Sequence, residues 1–144
     1  MKQNTEALLA AYLGICTRPD ILFTVSKAAR KSSDPTMEDW MNVMKIFNYI
    51  QHTKNYGIKI QKGMNLKVYV DVDYAGNLNT RKSTSGFFMM LGNTLTSWYS
   101  KLQHCVSTST AEAEYYGLSE CAKHFIYNNF LFLKNILFII IFYI

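Results

Sequence analysis

Leu66-Lys-Val-Tyr-Val-Asp-Val-Asp73 decides the fold class. Leu66, Val68, Val70 and Val72 alternate with Lys67, Tyr69, Asp71 and Asp73. A period of two is the signature of a strand with one apolar and one polar side. The same alternation puts two carboxylates, Asp71 and Asp73, on one side of that strand. Downstream, a polar loop from Ala75 to Ser83 carries Arg81 and Lys82. Gly86 to Leu91 reads as a second strand, Gly92-Asn93 as a tight turn, and Thr94 to Tyr99 as a third strand,. Three strands in an antiparallel meander follow. Ser109-Thr-Ala-Glu112 has the spacing of a capping box, so a helix is expected from there through Tyr115, Leu118, Cys121 and Ala122,.

Upstream of Leu66 the period is helical. Residues 5–15 are apolar and helix-compatible, and Thr17-Arg-Pro-Asp20 breaks the run and starts a new one,. Ile21, Leu22, Val25, Ala28 and Ala29 follow at helical spacing,. Asp34 and Pro35 suit the cap and first turn of a further helix, whose Trp40, Met41, Met44, Phe47 and Ile50 would face the core and which Gly57 would stop,. Ile58 and Ile60 suggest a short strand before a turn at Gly63-Met-Asn65. The expectation is an α+β chain: a helical N-terminal segment, then three antiparallel strands and a helix.

The 144 residues are 49% hydrophobic and 17% charged, which excludes a disordered tail,. The net charge of +5 permits nucleic-acid binding without showing it, and the basic excess lies in the first 66 residues,. Cys16, Cys105 and Cys121 are too few and too scattered for a disulfide framework,. Cys121 with His124, and His104 beside Cys105, admit a zinc site, though buried thiols suit cysteine's apolar character better,. The N-terminus lacks a signal-peptide pattern, which points to an intracellular protein, cytoplasmic or nuclear,. Phe125 to Ile144 is apolar, but Asn128, Asn129, Lys134 and Asn135 interrupt it, so a membrane partner is not expected,. Its last part reads as sequence without selected structure, of the kind translation past a frameshift or truncation would give.

Asp71, Asp73 and Glu114 fit two readings. Carboxylates from a strand and a helix end can hold divalent cations for phosphodiester hydrolysis. They can equally be solvated surface charges, and spacing alone favours that version. Glu112 sits where the capping box wants an acid, so helix stability accounts for it; Glu114, roughly 200° further round the helix, is beyond the cap and can face the sheet.

Several motifs narrow the choice. Tyr69-Val-Asp-Val-Asp-Tyr-Ala-Gly76, Arg81-Lys-Ser-Thr-Ser-Gly-Phe87, Thr96-Ser-Trp98 with Ser100-Lys101 and Gln103, and Ser109-Thr-Ala-Glu-Ala-Glu-Tyr115 with Ser119-Glu-Cys-Ala-Lys123 resemble the ribonuclease H domain of copia-type retrotransposon Pol polyproteins. Tyr12-Leu13 with Thr17-Arg-Pro-Asp-Ile21, and Trp40 and Tyr49-Ile50 with Thr53, resemble the segment that joins reverse transcriptase to that nuclease. Asp39 stands where the family usually has His, and Asn77 where it often has Asp.

The resemblance implies a boundary near residue 57: reverse-transcriptase connection helices over 1–57, a truncated ribonuclease H-like domain over 58–127, and an apolar tail without family counterpart over 128–144. It implies Asp71 and Glu114 as catalytic, metal-holding residues, Asp73 in support and as a metal ligand, and Arg81 and Lys82 as nucleic-acid contacts. The implied cofactor is Mg²⁺. The implied partners are an RNA–DNA hybrid and the rest of Pol, reverse transcriptase and integrase. The family continues with a fourth strand reading roughly C-D-N-x-x-A, whose aspartate completes the metal site, and then with an H-x-D-x-R-x-H segment. Neither occurs in these residues; no Asp follows Asp73 and no acid follows Glu120. The expectation is therefore a Pol fragment inactive as a nuclease. Two alternatives stay open: a nucleic-acid-binding module without catalysis, and a small membrane-associated protein held by the tail.

Overall fold

The structure, a computed structural model, describes the backbone of residues 2–142 and the side chains of Glu6 and residues 8–127. Helices α1 (Lys2–Cys16), α2 (Leu22–Ala29) and α3 (Met37–His52) precede strands β1 (Leu66–Asp73), β2 (Thr84–Leu91) and β3 (Thr94–Leu102), and helix α4 (Thr110–Phe142) follows. A short 3₁₀ turn, Pro19–Ile21, leads into α2 with Pro at its start. The strands form one antiparallel sheet in the order β1-β2-β3. The α+β class and the meander are as expected from the sequence.

The chain divides into two compact units. The first holds residues 1–69 and 86–102. Ala10, Ile21, Val25 and Ile46 are its buried centre, with Leu13, Ala28, Phe47 and Ile50 packed around them. The Trp98 indole donates to the Gly14 carbonyl at 2.9 Å and so ties β3 to α1. The second unit holds residues 70–85 and 103–144, with Ala75, Ala113 and Cys121 buried.

Four expectations need correction. Helix α3 is capped by Thr36, not Asp34: the Thr36 hydroxyl accepts from the Asp39 N–H at 3.2 Å, and the Asp39 carboxylate accepts from the Thr36 N–H at 3.0 Å. These reciprocal bonds satisfy two otherwise orphaned donors, which Asp34 does not do. The helix ends at His52 with Thr53 as its cap, before Gly57 is reached. Its core face is Val43 and Ile46 with Phe47 and Ile50, while Met41 and Met44 are exposed. Ile58 and Ile60 form no strand. Their segment is held instead by Gln61, whose N–H and carbonyl both bond the Thr94 hydroxyl, at 2.7 and 3.0 Å. Close by, Gly63 and Gly92 approach so tightly that a Cβ on either would lie 2.7 Å from the other's Cα. Gly92 also has φ +60, so this turn needs glycine twice over,.

At the other end, α4 continues as helix to Phe142, where the sequence suggested structure would lapse. The tail's side chains from 128 on lie outside the described residues. Among the described residues no helix is long and apolar enough to cross a membrane.

Candidate functional site

The candidate residues lie in the second unit. Asp71 and Asp73 are exposed, while Val70 and Val72 are half-buried, so the strand turns its carboxylates outward and its valines inward. Helix α4 lies on the valine side. Ala113, Gly117 and Cys121 form its buried line at intervals of four,. A Cβ at Gly117 would stand 2.7 Å from Val72 Cγ2 and 3.6 Å from Val70 Cγ1. Alternation therefore puts Asp71 and Asp73 on the opposite face of β1 from the one that Gly117 meets. Glu114, one residue beyond Ala113, is exposed.

Glu112 does the capping. Its N–H donates to the Ser109 hydroxyl at 3.1 Å, and its carboxylate accepts from Thr108 N–H at 2.6 Å and the Thr108 hydroxyl at 2.8 Å. Those two bonds from Thr108 hold the Glu112 carboxyl below its ordinary range,. The carboxylate reaches one residue further back than a reciprocal box would. Glu114 is left out of the cap.

Beyond β1 the chain turns sharply. Ala75 is buried at φ 51, and its N–H donates to the Ser83 hydroxyl at 3.0 Å. A Cβ at Gly76 would overlap the Asp73 carboxylate. Asp73 thus folds over the turn. Asn77 organises the following loop: its side-chain oxygen accepts from the N–H groups of Asn79 and Thr80, both at 3.1 Å. An aspartate would offer the same acceptor, so this departure from the family pattern is chemically quiet. Arg81 is exposed at φ 55, and its N–H donates to the Asn77 carbonyl at 2.7 Å; Lys82 is half-buried.

Behind this loop lies a buried polar knot that the sequence reading missed. Gln103 donates through Nε2 to the Ser85 hydroxyl and to the Ala113 carbonyl, both at 2.9 Å, and its Oε1 accepts from the Ser107 hydroxyl at 3.2 Å. Its N–H donates to the Ser83 carbonyl at 2.8 Å. Ser83, Ser85, Gln103 and Ser107 are all buried. Their signal was present: small hydroxyl residues crowd the Arg81–Gly86 motif where apolar ones would suit a buried strand start.

The cysteine readings divide. Cys121 is buried, and burial pushes its thiol up, whereas Cys16 and Cys105 are exposed, against expectation. Among the described residues, no group of three or more His, Cys, Asp or Glu side chains could hold a metal ion. Zinc at Cys121 and His124 has no support there. Nor are Asp71, Asp73 and Glu114 brought together as such a group.

Comparison with known proteins accounts for the motifs. The chain is 39% identical over 119 residues, 81% of its length, to the retrovirus-related Pol polyprotein from transposon TNT 1-94 of Nicotiana tabacum. It is 39% identical over 109 residues, 74% of its length, to the Pol polyprotein from transposon RE1 of Arabidopsis thaliana. It is also 36% identical over 114 residues to secreted RxLR effector protein 161 of Plasmopara viticola, covering 78% of this chain and 80% of that protein. No family model matches, and no solved structure matches. The chain belongs to the family of copia-type retrotransposon Pol polyproteins. It spans 9% of the tobacco polyprotein and 7% of the Arabidopsis one.

Proposed function

We propose that residues 58–127 are the opening part of a ribonuclease H unit, that residues 1–57 are its connection to reverse transcriptase, and that the 144-residue chain alone does not cleave. The inherited reaction is hydrolysis of the RNA strand of an RNA–DNA hybrid during reverse transcription. One observation supports this reading: Gly117 brings α4 down on Val70 and Val72, so the strand and the helix that bear the two assigned acids pack on each other, with Asp71 on the strand's other face,. Asp71 and Glu114 are assigned to catalysis and to Mg²⁺, with Asp73 in support and Arg81 and Lys82 toward phosphates. Among the described residues these carboxylates do not gather into one group, and no acid follows Glu120 in the sequence to join them. No cleavage step is therefore assigned to this chain. Residues of one catalytic constellation act as a unit, so a missing member removes most of the rate. The test is incubation of the folded protein with an RNA–DNA hybrid and Mg²⁺ or Mn²⁺ beside Asp71→Asn. The expected result is no cleavage by either; cleavage that Asp71→Asn abolishes would overturn the inactive reading.

A second reading, nucleic-acid binding without catalysis, has an observation of its own. A cavity of about 570 Å³ between α2 and α3 is lined by Lys27, Lys31 and Lys45. The two acids that share it are engaged elsewhere: Asp20 accepts from Arg18 and Tyr49, and Asp39 from Thr36. Lys45 donates to the Asn42 side-chain oxygen at 3.2 Å, and after the Thr36 bonds the charge of Lys31 helps hold the Asp39 carboxyl low, so the phosphate-facing reading rests on the three ammonium groups sharing one cavity. Replacing all three by Ala should lower the slope of log affinity against log salt by about 2 to 3 for a bound duplex. An unchanged slope would place the binding elsewhere.

A further inference from the structure

The cavity between α2 and α3 offers more than a phosphate needs. Its volume is about 570 Å³, within the range of pockets that take small organic ligands,. All of its lining belongs to the first compact unit. The floor is apolar: Ile21 and Ile46 are 3% and 5% exposed, and Ala28 packs beside them. Lys27, Lys31 and Lys45 line the same cavity but are exposed, so charge lies toward solvent and apolar surface beneath it,. One wall is aromatic. The Tyr49 hydroxyl donates to Asp20 at 3.0 Å, and the Arg18 guanidinium lies 5.6 Å from the centre of the ring. Arg18 is itself anchored on Asp20 and Thr53, so the ring is a fixed wall. Thr24 and Asn42 add hydrogen-bonding groups.

This combination selects among anions. An inorganic phosphate would use the lysines and leave the apolar floor wet. An acid with a hydrocarbon tail would cover the floor, but it would take Thr24 and Asn42 out of water without giving them partners, which costs free energy. A nucleotide meets every part at once. Its base has apolar faces for the floor and the Tyr49 ring, its edge carries donors and acceptors for the polar walls, and its phosphate suits the ammonium groups. In a duplex the bases are paired and stacked inward. Only an unpaired nucleotide can lay its base into a cavity of this kind.

We propose that this cavity seats one unpaired nucleotide of a single-stranded nucleic acid, its base against Ile21, Ile46 and Tyr49 and its neighbouring phosphates on the three lysines. The proposal rests on the nucleic-acid-binding reading above and names the form of the ligand. Fluorescence anisotropy on the 144-residue protein tests it with a short oligothymidylate, an abasic strand of the same length, and the double variant Thr24→Leu with Ala28→Leu. Both positions line the cavity from α2, so the two leucines crowd it, keep a good helix former at each place and leave the lysines where they are,. The parent should bind the oligothymidylate about fivefold or more tighter than the abasic strand. The double variant should lose that preference and keep its affinity for the abasic strand. The comparison of the two strands is made on the parent, so it holds whatever the variant's fold. Equal affinity of the parent for both strands, or a preference that survives the double variant, would overturn the proposal and leave phosphate contact standing. Thymidine monophosphate that competes as well as the strand at equal nucleotide concentration would make the ligand a free nucleotide and overturn it too. Failure to bind any strand would overturn the proposal and the nucleic-acid-binding reading together.

Discussion

Arg18 shows how a family signature can serve structure. Its guanidinium donates to both oxygens of Asp20, at 3.0 and 2.7 Å, and to the hydroxyl and carbonyl of Thr53, at 2.7 and 3.2 Å. Tyr49 completes the cluster by donating to Asp20 at 3.0 Å. Two motifs that read as separate, Thr17–Ile21 and Tyr49–Thr53, are thus one lock. The sequence displayed both halves but not their meeting, because nothing local joins residues so far apart. Arg18 is 7% exposed, so removing it strands partners in a mostly dry place. Arg18→Ala should cost about 2 kcal/mol after allowing for the partial exposure of Asp20, and Arg18→Lys nearly as much, since an ammonium cannot reproduce the fork. Urea unfolding of the three proteins measures this. The Arg18 hydrogen bonds also hold the Asp20 carboxyl below its ordinary range. A depressed folded pKa gives stability that is present above the unfolded value, about 4, and lost as pH falls through the folded one. The parent should therefore lose stability below about pH 4, and Arg18→Ala should lose less over that window. Equal losses in both would show that Asp20 is not the group responsible.

Elements differ in how plainly their sequences announce them. The bounds of β1 follow from its alternation because both faces obey the period. The α3 start was misplaced because Asp34-Pro35 has the right residue types, while the Thr36–Asp39 reciprocity appears only when both bonds are seen. In the Ala75–Ser83 loop the sequence points only to Arg81 and Lys82, as phosphate contacts, yet Ser83 and Ser85 beside them hold the strand to Gln103. Gln103→Leu keeps the volume but leaves the Ser85 hydroxyl, the Ser107 hydroxyl and the Ala113 carbonyl without their partner. It should cost about 2 to 3 kcal/mol, measured by thermal or urea unfolding. A neutral result would mean water replaces the amide. At Gly117 two effects oppose. Alanine gains about 1 kcal/mol of helix propensity but must displace Val72, which costs about 1 to 3 kcal/mol,. Gly117→Ala alone should destabilise, and Gly117→Ala with Val72→Ala should recover part of the loss. Additive effects in that double-mutant cycle would mean the two residues do not touch.

Across the whole molecule, the family was legible because its motifs are many and ordered, and the candidate acids were legible only through it. Spacing alone left Asp71, Asp73 and Glu114 as ordinary charges. Their geometry explains why: Asp73 folds over its own turn, Asp71 points away from the face that α4 covers, and Glu114 stands free of the cap. Each is placed by local structure, and none draws the others into a metal cage. On the function proposed above, Asp71 and Glu114 belong to a nuclease site that these residues leave incomplete. The most direct measurement is hybrid cleavage by a folded chimera, in which the segment that follows the aligned stretch in the tobacco TNT 1-94 polyprotein is joined after residue 127. The expected result is cleavage with Mg²⁺ by the chimera, none by the 144-residue chain, and none by the chimera carrying Asp71→Asn. A folded chimera that stays silent, or one that cleaves equally well with Asp71→Asn, would contradict the assignment.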